Sequence, residues 1–341
     1  MTTVARRRPR APRSPRGAFR SAVRSATRAV RGIAPIWLIL AAAVALVVWR
    51  DPAFAEPHSL MAFLKRGAPL IILALGQLFV IVAGDLDLSV GALVTACVVI
   101  AARLGAGDPA RTWWVICLLV AFGLLVGVVN GLVTAVLRVP SFITTLGTML
   151  VLNGAVFLWT GGSPTGSLAD NLRRLGRGSI PDVPVVGQLP YAVIAAALAV
   201  AVGYLLLRRT HFGSQIFATG GGPRTAWLSG VDTVRIRVGT FVVSALSGVA
   251  AAVLLAGFAG LSANAGDGYE FQAISAVVFG GAVLGGGRGR ISAAVGGALT
   301  LLVLFTLLNL LGFAKPLRDT VQGFMIIGAA VFTAYRLRRP R

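Results

Sequence analysis

Charge is scarce in this chain, and one kind of it is nearly missing. Asp, Glu, Lys and Arg make up 13% of the 341 residues, against about 25% in a soluble domain. Only two residues are lysine, Lys65 and Lys315, and neither follows a glycine. That excludes a phosphate-binding loop of the GxxxxGK[ST] kind, which needs a lysine after glycine. Gly285-Gly286-Gly287-Arg288-Gly289-Arg290 is glycine-rich but lacks that lysine. The two cysteines, Cys97 and Cys117, lie in apolar runs and read as small buried side chains. The two histidines, His58 and His211, fall in different loops and make no metal site. No Ser/His/Asp or Cys/His nucleophile set is recognisable, so neither a catalytic residue nor a cofactor is expected.

What the chain has in excess is apolar surface. Hydrophobic residues make 56% of it and the mean hydropathy is +0.83, values that place it in lipid. Apolar runs near 35–49, 67–83, 88–102, 113–137, 141–159, 190–207, 238–258, 271–285, 291–311 and 319–335 predict about ten spans. Several are shorter than the roughly 20 residues a crossing helix needs. The short runs cluster at 67–102 and 271–311 and predict two broken-helix hairpins with glycine-rich elbows, a weak internal echo. The expected fold is therefore all-α and polytopic, with a transmembrane domain over 35–336.

Arginine placement sets the expected orientation. With the N-terminus inside, the inner segments hold 22 Lys and Arg and the outer ones 10, as the positive-inside rule requires. Ten of the arginines lie between Arg6 and Arg31 without an acid among them. Residues 1–34 are expected to be a disordered basic cytoplasmic tail that helps fix topology and attracts anionic lipid. No nucleic-acid-binding fold accompanies this run, so nucleic acid is not an expected partner. Residues 337–341 form a second inner tail. An Arg-rich start, an apolar run to Trp49 and Ala53-Phe54-Ala55 also mimic a secretory signal and its cleavage site. Cleavage would remove the first span and leave the rest of the topology.

The sharpest local signal is Gly84-Asp85-Leu86-Asp87-Leu88-Ser89-Val90-Gly91, two carboxylates in an apolar hairpin. Asp87 is a good N-cap for a helix starting at Leu88, with Ser89 helping. A cap at a broken membrane helix can also line a path, because irregular backbone is tolerated only beside protein or water. The segment resembles the GG-x-DLS-x-G signature of permeases in the ribose/xylose/galactose class of ABC importers. Four more blocks resemble that family in order. They are Asn130-Gly131 with Val139-Pro140-Ser141-Phe142-Ile143-Thr144-Thr145-Leu146-Gly147-Thr148, then Ala218 to Val231, Gly268-Tyr269-Glu270 through Gly281, and Val321-Gln322-Gly323. The chain departs at Asp85, where a second glycine is common. Gly222 stands for the usual Asn, Arg224 for a common acid and Trp227 for a common basic residue.

The resemblance implies a channel-forming permease that works as a pair with a second permease copy. It also implies separate ATPase subunits and an extracytoplasmic sugar-binding protein. On the residues themselves, Asp87, Ser89 and Asn130 are the polar candidates for the substrate path. The inner loop 208–237 is the candidate coupling loop to the ATPase, through Pro223, Arg224, Trp227, Leu228 and Ser229. Pro223 is suited to a first helical position, and Trp227 and Leu228 offer apolar anchors. The outer loop 160–189 carries Arg173, Arg174 and Arg177, candidates for docking the binding protein. The alternative is an ion-coupled secondary transporter with Asp85 and Asp87 as its ion site.

Overall fold

The computed structural model describes residues 35–314, 316–317, 320–324 and 327–328. The tails at 1–34 and 337–341 and most of the expected span at 319–335 lie outside them. The other nine expected spans are each a helix. We number the helices α1 (Pro35–Arg50), α2 (Pro57–Ala83), α3 (Val90–Gly105), α4 (Thr112–Ala135), α5 (Ser141–Thr160), α6 (Asp170–Arg177), α7 (Tyr191–Arg209), α8 (His211–Gly221), α9 (Pro223–Leu228), α10 (Thr233–Ala259), α11 (Tyr269–Phe279) and α12 (Ile291–Leu310). Among the described residues, six helices are long and apolar enough to cross a membrane: α2, α4 (with the turn from Pro109), α5, α7, α10 and α12. The fold is a polytopic helical membrane protein. Its only sheet among the described residues is a hairpin of β1 (Ser179–Val183) and β2 (Gly187–Pro190), paired Ser179↔Pro190 and Ile180↔Leu189.

α2 and α10 form the centre. Each has 27 residues, about 40 Å at 1.5 Å per residue, which exceeds the roughly 30 Å hydrocarbon. α2 is apolar all round and almost wholly buried from Gly67 to Ala83, as a core helix should be. α4 reaches α10 through Gly123, Gly127 and Gly131, spaced four apart on one face. A Cβ at Gly131 would stand 2.6 Å from Val238 Cα, and one at Gly127 would stand 2.8 Å from Val242 Cα. Small residues at this spacing let two membrane helices touch backbone to backbone. α5 and α7 lie on the outside and expose Leu150, Val151, Leu158, Leu198 and Leu205.

Three expectations change here. Cys97 is buried, but Cys117 is exposed on α4. α4 is apolar on almost every side, so periodicity alone does not separate its lipid face from its core face. The segment 208–237 holds more than the one helical stretch expected from Pro223: it contains α8, α9 and the start of α10. The segment 160–189 is likewise folded, as α6 and the hairpin.

Candidate functional site

The elbow between α2 and α3 begins where Gly84 adopts a left-handed conformation, φ +97°, and ends the helix. Residues 85–88 are irregular and α3 starts at Val90, two residues later than expected. The N-cap is Ser89, whose side chain makes no capping bond, and not Asp87 as expected; Asp87 lies two residues before it, and its Oδ1 accepts from Ser89 N at 2.9 Å and Ser89 Oγ at 2.6 Å. Asp87 Oδ2 accepts from Ser244 Oγ of α10 at 2.7 Å. Asn130 Nδ2 donates to Ser89 Oγ at 2.8 Å, and Thr148 Oγ1 donates to Asn130 Oδ1 at 2.6 Å. Thr148, Asn130, Ser89, Asp87 and Ser244 thus form one hydrogen-bonded chain across α5, α4, the elbow and α10.

The backbone of the elbow is held as closely. Leu86 N–H donates to Ser141 Oγ at 3.1 Å, and Thr145 Oγ1 donates to Leu86 O at 3.3 Å. The fully buried Gln77 amide faces the backbone of Asp87; turned so that both groups are satisfied, it donates to Asp87 O at 3.2 Å and accepts from Asp87 N at 3.3 Å. Buried polar groups without partners cost heavily in an apolar interior, and Asp85, Leu86 and Asp87 are each paired with a neighbouring helix. Asp85 makes the strongest tie. Arg237, at the start of the second turn of α10, grips it with Nε to Oδ2 at 2.7 Å and Nη2 to Oδ1 at 2.5 Å. This two-pronged geometry is the strong form of an arginine–carboxylate pair.

The second elbow, residues 280–290 between α11 and α12, meets the first. A Cβ on Gly286 would stand 2.9 Å from Gly84 Cα and 2.7 Å from Gly220 O; one on Gly220 would stand 1.8 Å from Val82 O. Gly287 N donates to Val82 O at 2.8 Å. The ends of α2 and α8 and the turn at 285–287 therefore share one glycine-packed junction. α9 follows immediately. Pro223 is its first residue, and Arg224, Trp227, Leu228 and Ser229 are all exposed, Trp227 by 65% and Leu228 by 70%. Asp232 caps α10 just beyond, accepting from Arg235 N at 3.1 Å.

At the opposite end lies α6. Thr112 Oγ1 donates to Asn171 Oδ1 at 2.5 Å, and Lys65 Nζ donates to Arg177 O at 2.7 Å. Gly176 packs on α10, where its Cβ would stand 2.7 Å from Gly257 Cα. Of the candidate docking arginines, Arg174 and Arg177 are exposed and Arg173 is half-buried. Arg103 is otherwise engaged: it donates to Trp159 O and lies 5.1 Å from that ring's centroid.

Asp87, Ser89 and Asn130, expected together, are together, but they are buried and occupied by one another. Arg237, Gln77, Ser244 and the hydroxyls of Ser141, Thr145 and Thr148 were missed. Two signals bore on part of this set: Asp85 in place of a glycine calls for a cation without saying which, and Ser141, Thr145 and Thr148 recur at helical spacing on one face of α5; none marked Gln77 or Ser244.

The arrangement defines a class: a multi-pass helical protein whose two broken hairpins converge beside a short exposed helix, which suits a transport subunit. Residues 59–330 match the family described as branched-chain amino acid transport system / permease component, and the chain belongs to that family of permeases. It is 34% identical over 293 residues to the ribose import permease protein RbsC of Bacillus subtilis, covering 84% of this chain and 88% of that one. It is 32% identical over 326 residues to the galactose/methyl galactoside import permease protein MglC of Escherichia coli, covering 90% and 95%. The autoinducer 2 import system permease protein LsrC of Klebsiella pneumoniae is 32% identical over 310 residues, covering 91% and 88%. No solved structure matches the chain.

Proposed function

We propose that the chain is the channel-forming permease subunit of an ATP-binding-cassette importer for a monosaccharide, set in the bacterial inner membrane with both termini cytoplasmic. Separate ATPase subunits engage α9, and ATP chemistry stays with them; the permease itself is not an enzyme. An extracytoplasmic sugar-binding protein docks over α6, and a second permease copy completes the channel. One observation carries this reading. α9 exposes Trp227 and Leu228 directly beside the glycine junction that joins both elbows. An apolar anchor so placed offers a partner a handle on the whole inner end. The names of the relatives support sugar as the cargo.

The other reading, an ion-coupled transporter, requires Asp85 or Asp87 to receive an ion. Asp85 is held by Arg237, and Asp87 by Ser89 and Ser244. These pairings favour the ATP-driven reading. The test is Trp227→Ala in the reconstituted complex. Loss of a central aromatic anchor costs about 2 kcal/mol or more, roughly 30-fold in ATPase affinity. Substrate-stimulated ATP hydrolysis should fall while the permease still inserts and folds. Normal stimulated hydrolysis in the mutant would remove α9 from the coupling role.

A further inference from the structure

The loop joining α10 to α11, residues 260–268, does not lie level with the helix ends remote from the elbows. Gly266 N donates to Thr95 Oγ1 at 2.9 Å, and a Cβ on Gly266 would stand 2.0 Å from Gly91 O. Both contacts are in the first two turns of α3. At 1.5 Å per residue, Thr95 lies about 15 Å short of Gly105, the remote end of α3. α12 gives a second ruler. α11 runs antiparallel beside it: a Cβ on Gly297 would meet Ala276 O, and one on Gly280 would meet Ala293 O. That register sets Tyr269 level with Leu304, about 9 Å short of Leu310. α11 has only 11 residues, about 16 Å, and cannot cross alone. The loop is re-entrant.

Irregular backbone at such depth is tolerated only against protein or along a water-filled cavity. One side of the loop is against protein. Gly266 is buried on α3, and the buried Glu270 carboxylate fills the space a Cβ at Gly91 would take. The other side is not: Asn264, Asp267 and Phe271 are exposed. Asp267 forms no ion pair among the described residues. A carboxylate facing hydrocarbon costs about 2.5–3.5 kcal/mol even on the mildest scales, so this side requires water.

We propose that residues 264–271 form a solute-contacting lip of the aqueous path, specific for neutral polyhydroxylated molecules. This rests on the importer reading above. Asp267 accepts hydrogen bonds from adjacent hydroxyls of the sugar. Asn264 donates and accepts beside it, and the Phe271 ring covers an apolar C–H face. The bonds to Asp267 are of the charge-assisted kind, the stronger class.

Two measurements test the lip. In a Cys117→Ser background, Asn264→Cys and Asp267→Cys are exposed to a charged thiol reagent in lipid nanodiscs. Both should react as readily as Val185→Cys on the hairpin turn, and D-ribose or D-galactose should slow them. Reactivity as low as that of the buried native Cys97 would overturn the lip, whatever the protein transports. In the assembled importer, Asp267→Asn should raise the KM for the better of the two sugars about tenfold, the worth of one charge-assisted hydrogen bond, with a smaller change in kcat. Cysteines that react while Asp267→Asn leaves KM unchanged would refute the sugar contact. A wild-type complex that moves neither sugar would count against the importer reading, and the labelling alone would still decide the lip.

Discussion

Removing the Arg237 side chain tests how the first elbow is held. Arg237 joins α10 to Asp85 by two short bonds, and Asp85 is 3% exposed while the arginine side chain is 28% exposed. Arg237→Ala therefore strands a carboxylate that has no route to water. Breaking a buried pair in this way costs about 3–5 kcal/mol; part of the guanidinium already reaches solvent, so the lower figure applies, roughly a hundredfold in the folded ratio. Asp85→Gly is milder. It leaves a long, flexible arginine that can carry its charge outward, at a cost of about 1–2 kcal/mol. Replacing both, as Asp85→Ala with Arg237→Met, removes charge and counter-charge together and should sit close to the wild type. The assay is denaturant resistance of the purified permease in detergent, read as a double-mutant cycle across the four proteins. The order expected is wild type near the double variant, then Asp85→Gly, then Arg237→Ala well below. A double variant weaker than Arg237→Ala, or an Arg237→Ala protein as stable as the wild type, would refute the clasp.

Asp87→Asn should keep most uptake and Asp87→Ala little, because alanine leaves Ser89 N, Ser89 Oγ and Ser244 Oγ without their acceptor, at about 1–3 kcal/mol for each buried group. Uptake rates of the two variants at matched expression check this, and an asparagine variant as inactive as alanine would show that the charge itself is needed. At the opposite end, Arg174→Glu with Arg177→Glu should lower uptake when the binding protein is limiting, and added salt should weaken wild-type uptake in the same way, since rim charges act mainly on association rate. Arg173 is left out of this test because it is half-buried.

The helices were legible because apolar length is a strong signal: nine runs became helices, but α2 starts ten residues before its expected bound, at Pro57, and α11 stops six residues short of its own, at Phe279. The elbow was legible as well: Asp87, Ser89 and Asn130 are polar residues in apolar surroundings, and such residues must find one another. Pro223 at the first turn of α9 followed from local chemistry alone. What could not be read were pairings across long separations. Nothing near Asp85 in sequence points to Arg237, 152 residues on, and the two meet only because α10 lies against α2. The lipid face was equally hidden. α4 is apolar on almost every side, so the exposure of Cys117 depends on which helices cover it. The glycines were visible as an excess, but their purpose appears only where two backbones touch, as at Gly220 on Val82 or Gly176 on Gly257.

These contacts determine what can move independently. α10 touches α6 through Gly257 and Gly176 at one end, and holds Asp85 through Arg237 at the other. Between them it is a continuous helix of 27 residues without proline, and its Gly/Ser pair, Ser247-Gly248, is packed against Gly76 of α2 and against Val90 and Leu93 of α3. At its start, Asp232 ties it to the segment that carries α9. On the other side of α9, Gly220 has so little space over Val82 and Gly287 that the end of α8 cannot shift without displacing both elbows. A force on Trp227 is therefore shared between two routes, one through α8 into the glycine junction and one through Asp232 into α10. Both end on residues 84–89. A packed junction responds by switching between discrete arrangements rather than by stretching. The elbow that holds Asp87 and Ser89 is consequently the part of the chain where displacement of α9 must be felt first.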